Sequence, residues 1–116
     1  MASTPTDLDL SQAQAFAMKP LELAELLGTV VHSLQSSQAV LGACTDVAGL
    51  HRALHDLKGY LGLVAGSDLC SAVRQADEAA TEGHLDACRS VLDQIIPRLE
   101  ALLIEVRTYR AGIIAG

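Results

Sequence analysis

The sequence is nearly devoid of aromatic side chains: its 116 residues include no tryptophan, one phenylalanine and two tyrosines. Half of the residues are nevertheless hydrophobic, mostly leucine, alanine, valine and isoleucine. Because β-sandwiches and barrels draw on aromatic and β-branched residues, this composition favours helices packed on helices. The length is enough for one domain with a single core and too short for two.

Positive charge is also scarce. Eight lysines and arginines stand against fourteen aspartates and glutamates, which gives a formal net charge of −6. The basic residues are scattered from Lys19 to Arg110 and form no stripe. Such a chain offers no positive field to the phosphates of nucleic acid or of an anionic membrane surface. We therefore expect neither nucleic-acid nor membrane partners.

Cysteine motifs are missing as well, because Cys44, Cys70 and Cys88 are an odd number at wide spacings and form no C-x-x-C pair. Neither a zinc knuckle nor a disulfide framework is indicated, and the thiols suit a reducing compartment. No apolar run is long enough to span a bilayer, and the first residues, MASTPTDLDL, lack the apolar core of a secretion signal. The expected location is the cytoplasm.

Helical periodicity organises most of the chain, since apolar residues recur at steps of three and four. The pattern predicts helices over residues 20–41, 47–65, 68–82 and 85–109, and a shorter one over residues 9–18. We expect an all-α protein, an antiparallel four-helix bundle with a short additional N-terminal helix. Its predicted organisation is a flexible leader (1–8), a helical bundle (9–110) and a C-terminal tail (111–116).

Local signals refine the predicted helix ends. Asp46 and Ser67 are predicted N-caps, and Gly83 is predicted to end the helix before it. Pro97 lies inside the last predicted helix, where it removes one backbone hydrogen bond. A kink near this residue is expected, with a break into two helices as the alternative.

His55 occupies an unusual position on the predicted 47–65 helix. At about 100° per residue, the stripe of apolar side chains lies opposite it, so His55 is predicted to face solvent. Gly59 and Gly62 follow on the same predicted face, and each mid-helix glycine costs about 1 kcal/mol relative to alanine. Bare backbone beside His55 would let another protein's surface approach the imidazole closely.

The residue types beside His55 indicate phosphoryl chemistry. A neutral imidazole is a good nucleophile near pH 7, because an unperturbed histidine titrates near ~6.5. Lys58, one helical turn further on, can offset the charge of a phosphoryl group. Phosphoryl transfer otherwise needs positioning and a metal ion, which a partner's site can supply.

The segment from His55 to Gly59 resembles the H-x-x-K-G core of histidine-containing phosphotransfer (HPt) domains, which relay phosphoryl groups between receiver domains. The resemblance covers roughly residues 20–110 and continues at Gly62, Leu69, Asp77 and Gly83. It implies that His55 is the phosphorylated residue and Lys58 its phosphate-stabilising neighbour, with Gly59 and Gly62 keeping the docking face open. The implied partner is a response-regulator receiver domain, a hybrid sensor histidine kinase, or both.

The resemblance implies no cofactor or metal held by this chain, and Mg²⁺ is expected in the partner receiver domain. Asp77 takes the place of a usual glutamate or glutamine, and bulky Tyr60 follows Gly59 where small residues are usual. His51, Arg52 and Asp77 are further candidate binding residues at the edge of the docking face.

Other readings of the same residues are weaker or remain open. His51 and His55 have the H-x-x-x-H spacing of zinc helices, but Arg52 stands where a metalloprotease has its glutamate base, and no third ligand is evident. No nucleotide-binding loop exists, so no autonomous kinase activity is expected. The alternative that remains open is a non-phosphorylated helical interaction module that binds a partner through the same exposed face as His55. The start at Met1 and the leader favour a free-standing protein.

Overall fold

A computed structural model describes residues 7–43 and 46–115 of the chain, and this part is all-helical. Its five α-helices are α1 (Ser11–Phe16), α2 (Pro20–Ala43), α3 (Val47–Tyr60), α4 (Ser67–Thr81) and α5 (Leu85–Ala115). A single 3₁₀ turn, Leu61–Leu63, follows α3 directly. The predicted all-α class is confirmed.

The five helices pack into one compact body around a core of aliphatic side chains. Helix α2 packs on α3 and α5, and α4 packs on the same two helices, so each of the four longer helices packs mainly on two of the other three. The largest fully buried side chains are Leu27, Leu34, Leu41, Leu50, Leu54, Leu57, Leu61, Leu69, Leu92, Ile95, Leu99 and Leu102. Full burial of each such side chain stabilises the fold by about 1.5–3 kcal/mol before entropic costs.

Two predicted helix caps can be compared with the structure. The Asp46 carboxylate accepts a hydrogen bond from the Gly49 N–H at 2.7 Å, which confirms it as the N-cap of α3. Ser67 is instead the first residue of α4, and Gly66 precedes it without a side-chain cap, so that prediction is wrong.

Gly83 ends α4 as predicted. Its φ of +79° lies in the left-handed region that favours glycine. The N–H groups of Gly83 and His84 bind the carbonyls of Ala80 and Ala79, which satisfies two of the last carbonyls of α4.

Helix α5 differs most from the sequence prediction. It continues to Ala115, so the described part of the predicted 111–116 tail is helical. Ile113 is partly buried against the core, and this burial stabilises the last turn of the helix. The helix also runs through Pro97 without a break. Because Pro97 is exposed, water can bind the carbonyl that loses its helical partner.

The end of the predicted 1–8 leader is attached to the body of the protein. The Arg98 guanidinium donates two hydrogen bonds to the Asp7 carboxylate, at 2.9 and 2.6 Å. The Asp9 N–H binds the Val64 carbonyl at 2.8 Å, and the Gly66 N–H binds the Asp7 carbonyl at 3.0 Å. Residues 1–6 of the predicted leader lie outside the described residues.

Among the helices that the structure describes, none combines the length and apolar character needed to cross a membrane.

Candidate functional site

His55 lies in the middle of α3 with its side chain exposed, as the periodicity predicts. Leu50, Leu54 and Leu57 bury the opposite face of the helix in the core. No side chain of residues 7–43 or 46–115 hydrogen-bonds the His55 imidazole. Its one recorded ring contact is with His51, at 6.2 Å between ring centroids. Both nitrogens of His55 are therefore open to an incoming group.

An open groove of about 450 Å³ separates His55 from α2. Its lining is mostly polar: His32, Ser33, Ser36, Ser37, His55, Asp56, Gly59 and Tyr60. The Tyr60 hydroxyl lies 2.8 Å from the Ser37 hydroxyl, which ties the bulky ring to α2. Burial raises the pKa of Tyr60. The ring thus lies half-buried along the groove.

Gly59 and Gly62, predicted to share one bare face, occupy different environments. Gly59 is exposed in the last turn of α3, and a Cβ built on it would meet no atom within 4 Å beyond its chain neighbours and the α3 backbone. Gly62 is half-buried in the 3₁₀ turn, where a Cβ would meet the Gln12 side chain of α1 at 3.6 Å. Gly62 does not line the groove beside His55, because α3 ends before the second predicted turn is completed.

The buried Asp77 of α4 forms an ionic cluster with two exposed side chains beside this face. One carboxylate oxygen lies 2.6 Å from His51 Nδ1, and the other accepts a hydrogen bond from Lys58 Nζ at 2.7 Å. Burial by itself would raise the pKa of Asp77. The hydrogen bonds from Lys58 and His51 and the positive charge of Lys58 outweigh that effect, so the pKa lies below its usual range. Asp77 is therefore an ionised acceptor for both side chains.

The contact with Asp77 fixes how His51 presents its ring. An ionised carboxylate can only accept a hydrogen bond, so His51 Nδ1 carries the proton. The Thr81 hydroxyl, 3.2 Å from the same nitrogen, lies one helical turn beyond Asp77 on α4. Nε2 of a neutral His51 is left with its lone pair and no partner on Asp77. His51, and not His55, is the imidazole that the buried carboxylate orients.

Lys58 and Arg52 lie on different sides of α3. Lys58 leans toward α4, where it binds Asp77 while its side chain stays 37% exposed. Arg52 lines a second groove of about 330 Å³ on the α2 side, together with Val40 and Asp56. Of the predicted binding residues, the structure thus brings together Lys58, His51 and Asp77.

Sequence reasoning missed the α2 side of the groove. His32 was not among the predicted site residues, yet it lines the same groove as His55. Ser33, Ser36 and Ser37 also line it, and their spacing of three and four residues is the signal that they share one face of α2. On α4 the corresponding signal was the spacing of four residues between Asp77 and Thr81, which places both side chains on one face of the helix.

Within the described residues, no group of three or more histidine, cysteine, aspartate or glutamate side chains is arranged to hold a metal ion. Comparison of the chain with protein-family models, curated proteins and solved structures found no significant match.

Proposed function

We propose that this chain is a histidine phosphotransfer protein that relays a phosphoryl group between His55 and an aspartate of a receiver domain. The helices would form the antiparallel four-helix bundle of the HPt type, with α1 as the additional N-terminal helix. The observation that carries the proposal is the exposed His55 imidazole, free of hydrogen bonds to the described residues and next to the unobstructed backbone of Gly59.

The transfer step needs one nucleophilic nitrogen on this chain. A neutral His55 ring nitrogen attacks the phosphorus of the partner's aspartyl phosphate, so that an N–P bond forms as the P–O bond to aspartate breaks. The aspartate leaves as a carboxylate, and the reverse step regenerates it. Charge on the phosphoryl oxygens is neutralised in part by Mg²⁺ held in the partner. The chain itself holds no cofactor and acts as a phosphoryl carrier without kinase activity of its own.

Lys58 supplies the positive charge on this side of the reaction. It stands one turn from His55 along α3, and residues three apart are neighbours on a helix surface. Its ammonium group binds Asp77 in the unphosphorylated chain. The long, rotatable side chain can exchange that carboxylate for phosphoryl oxygens on His55. In the unphosphorylated chain Asp77 thereby holds the ammonium on the α4 side of α3, one helical turn from His55.

The docking surface for the receiver would comprise the groove between α2 and α3 and the bare backbone at Gly59. A side chain at this position would stand between His55 and a partner, and the structure leaves that space open. Arg52 and Asp56 line the adjoining groove and would contact the edge of the partner. The absence of disulfide motifs suits a cytoplasmic partner of this kind.

The experiment is transfer from a receiver domain carrying a radioactive aspartyl phosphate, in the presence of Mg²⁺. The chain should acquire an acid-labile, alkali-stable label, as expected for phosphohistidine. His55→Gln should abolish the label, while the matched His84→Gln variant, altered at an exposed histidine between α4 and α5, should be labelled like the original chain. Failure of every receiver of the host to transfer label would overturn the proposal.

One observation favours a second candidate, an interaction module that is never phosphorylated. Lys58 is already neutralised by Asp77, so this face can be complementary to a partner without any phosphoryl group. The same assay separates the two functions. A receiver that binds the chain tightly but transfers no label would identify the interaction module.

A further inference from the structure

We infer that His51 and His55 together form a binding site for a late first-row divalent cation such as Zn²⁺. The two imidazoles stand one turn apart on the exposed face of α3, with ring centroids 6.2 Å apart. Imidazole nitrogen is a preferred ligand of Zn²⁺, Ni²⁺ and Cu²⁺. With two protein ligands, the remaining positions of the ion would be filled by water.

The buried carboxylate of Asp77 prepares His51 for this role. Metal-binding histidines generally donate their second ring N–H to a carboxylate or carbonyl, which fixes the tautomer and raises the basicity of the ligating nitrogen. Asp77 makes this contact at 2.6 Å from Nδ1 of His51. The lone pair on Nε2 of a neutral His51 is then available to a cation. This contact supports the site separately, because it does not follow from the helical spacing of the two histidines.

The separation of the two rings is close to what a shared ion requires. With Zn–N distances of about 2.0–2.1 Å and tetrahedral angles, two imidazoles on one ion have centroids roughly 5 Å apart. The rings must therefore approach by about 1 Å. His51 is held by Asp77, whereas no side chain in the described part of the chain hydrogen-bonds His55. His55 is therefore the side chain that would rotate to bring the two rings onto one ion.

Arg52 does not oppose this site in the way that its sequence position indicates. It lines the groove toward α2 that Asp56 also lines, whereas His51 leans toward Asp77 on α4. Its side chain is thus on the other side of α3 from the Asp77 contact that orients His51. The missing glutamate base still argues against a metalloprotease, so the inferred site binds a cation and performs no hydrolysis.

A consequence follows for His55 if the proposed function holds. A nitrogen that ligates a cation has no lone pair left to attack phosphorus, so cation binding and phosphorylation through that nitrogen exclude each other. The cation would then act as an inhibitor of phosphoryl transfer. This consequence rests on the proposed function, whereas cation binding itself does not.

The site is tested by titrating ZnCl₂ into the full chain by isothermal calorimetry in a non-coordinating buffer. One equivalent should bind, and the ring signals of His51 and His55 should shift in NMR spectra. His51→Ala and His55→Ala should each weaken binding by at least about tenfold, a loss typical even of outer-shell partners of metal ligands. The control His84→Ala should bind as the original chain does. Far-ultraviolet circular dichroism verifies that each variant is folded.

Absence of saturable binding by the original chain, or binding unchanged in folded His51→Ala, would overturn the inference. The transfer assay adds a separate readout, in which each variant is compared with itself with and without ZnCl₂. Zinc should slow labelling of the original chain by a larger factor than labelling of His51→Ala. If no label is transferred even without zinc, the proposed function fails, and calorimetry alone decides on the cation site.

Discussion

Replacing Asp77 with asparagine removes one negative charge from the contact between α3 and α4 and changes little else. The carboxylate is buried, and it accepts one hydrogen bond from Lys58 and one from His51. Asparagine has nearly the same shape, so the core around it keeps its volume. The variant therefore isolates the contribution of the ionic cluster to folding stability.

The size of the effect follows from the exposure of the partners. Hydrogen bonds to charged groups are each worth about 1.5–3 kcal/mol. The side chains of Lys58 and His51 are 37% and 47% exposed, so water partly replaces the lost carboxylate for both of them. We therefore expect Asp77→Asn to lower the free energy of unfolding by about 2 kcal/mol in total. For a domain near this size the Tm should fall by roughly 8 °C.

Urea unfolding and thermal melting followed by circular dichroism measure this change. Asp93→Asn is a matched control, because Asp93 is an exposed aspartate on α5. It should change the stability by no more than about 0.5 kcal/mol. If Asp77→Asn were no more destabilising than the control, the cluster would contribute nothing to the α3–α4 contact, and its proposed hold on Lys58 would lose its basis.

Further predictions concern pH and backbone positions. The pKa of Asp77 is lowered from 3.8, so the stabilisation by its carboxylate is present above that pH and is lost as the pH falls through the folded-state pKa. The difference in unfolding free energy between the original chain and Asp77→Asn should therefore be full above about pH 5 and shrink toward pH 3. Gly59→Ala should raise the free energy of unfolding by about 0.5–1 kcal/mol, since its Cβ meets no atom within 4 Å. Gly59→Leu should slow labelling by the receiver while leaving the Tm no lower, and a fall in Tm would contradict the open space at this position. Gly83→Ala should cost about 1 kcal/mol in urea unfolding, because its φ is +79°.

The helices could be predicted because the residues of their buried faces recur at regular intervals in the sequence. Leu50, Leu54, Leu57 and Leu61 recur at steps of three and four, and this period sets which face of α3 is buried. The exposure of His55 follows directly from it. The change to a 3₁₀ turn after Tyr60 could not be predicted in this way, since Leu61 continues the same apolar pattern through the turn. Gly62 was assigned to the wrong environment for that reason.

The periodicity of apolar residues could not predict which side chains of different helices contact each other. Asp77 was a candidate through the family resemblance, but its partners depend on the rotation of α4 against α3, which no local pattern specifies. The structure pairs it with Lys58 and His51 and not with His55. The last turn of α5 also depends on contacts that no local pattern specifies. Burial of Ile113 against distant elements, and not local helix propensity, stabilises that turn.

The proposed function requires one nitrogen-bound phosphoryl group, located on His55. Mass spectrometry of the chain after incubation with a phosphorylated receiver and Mg²⁺, with digestion kept at neutral or alkaline pH, localises that group among His32, His51, His55 and His84. We predict a single phosphoryl group on the peptide that contains His55, at that residue, and none on the corresponding peptide of His55→Gln. A phosphoryl group found on another histidine, or none on any, would contradict the account.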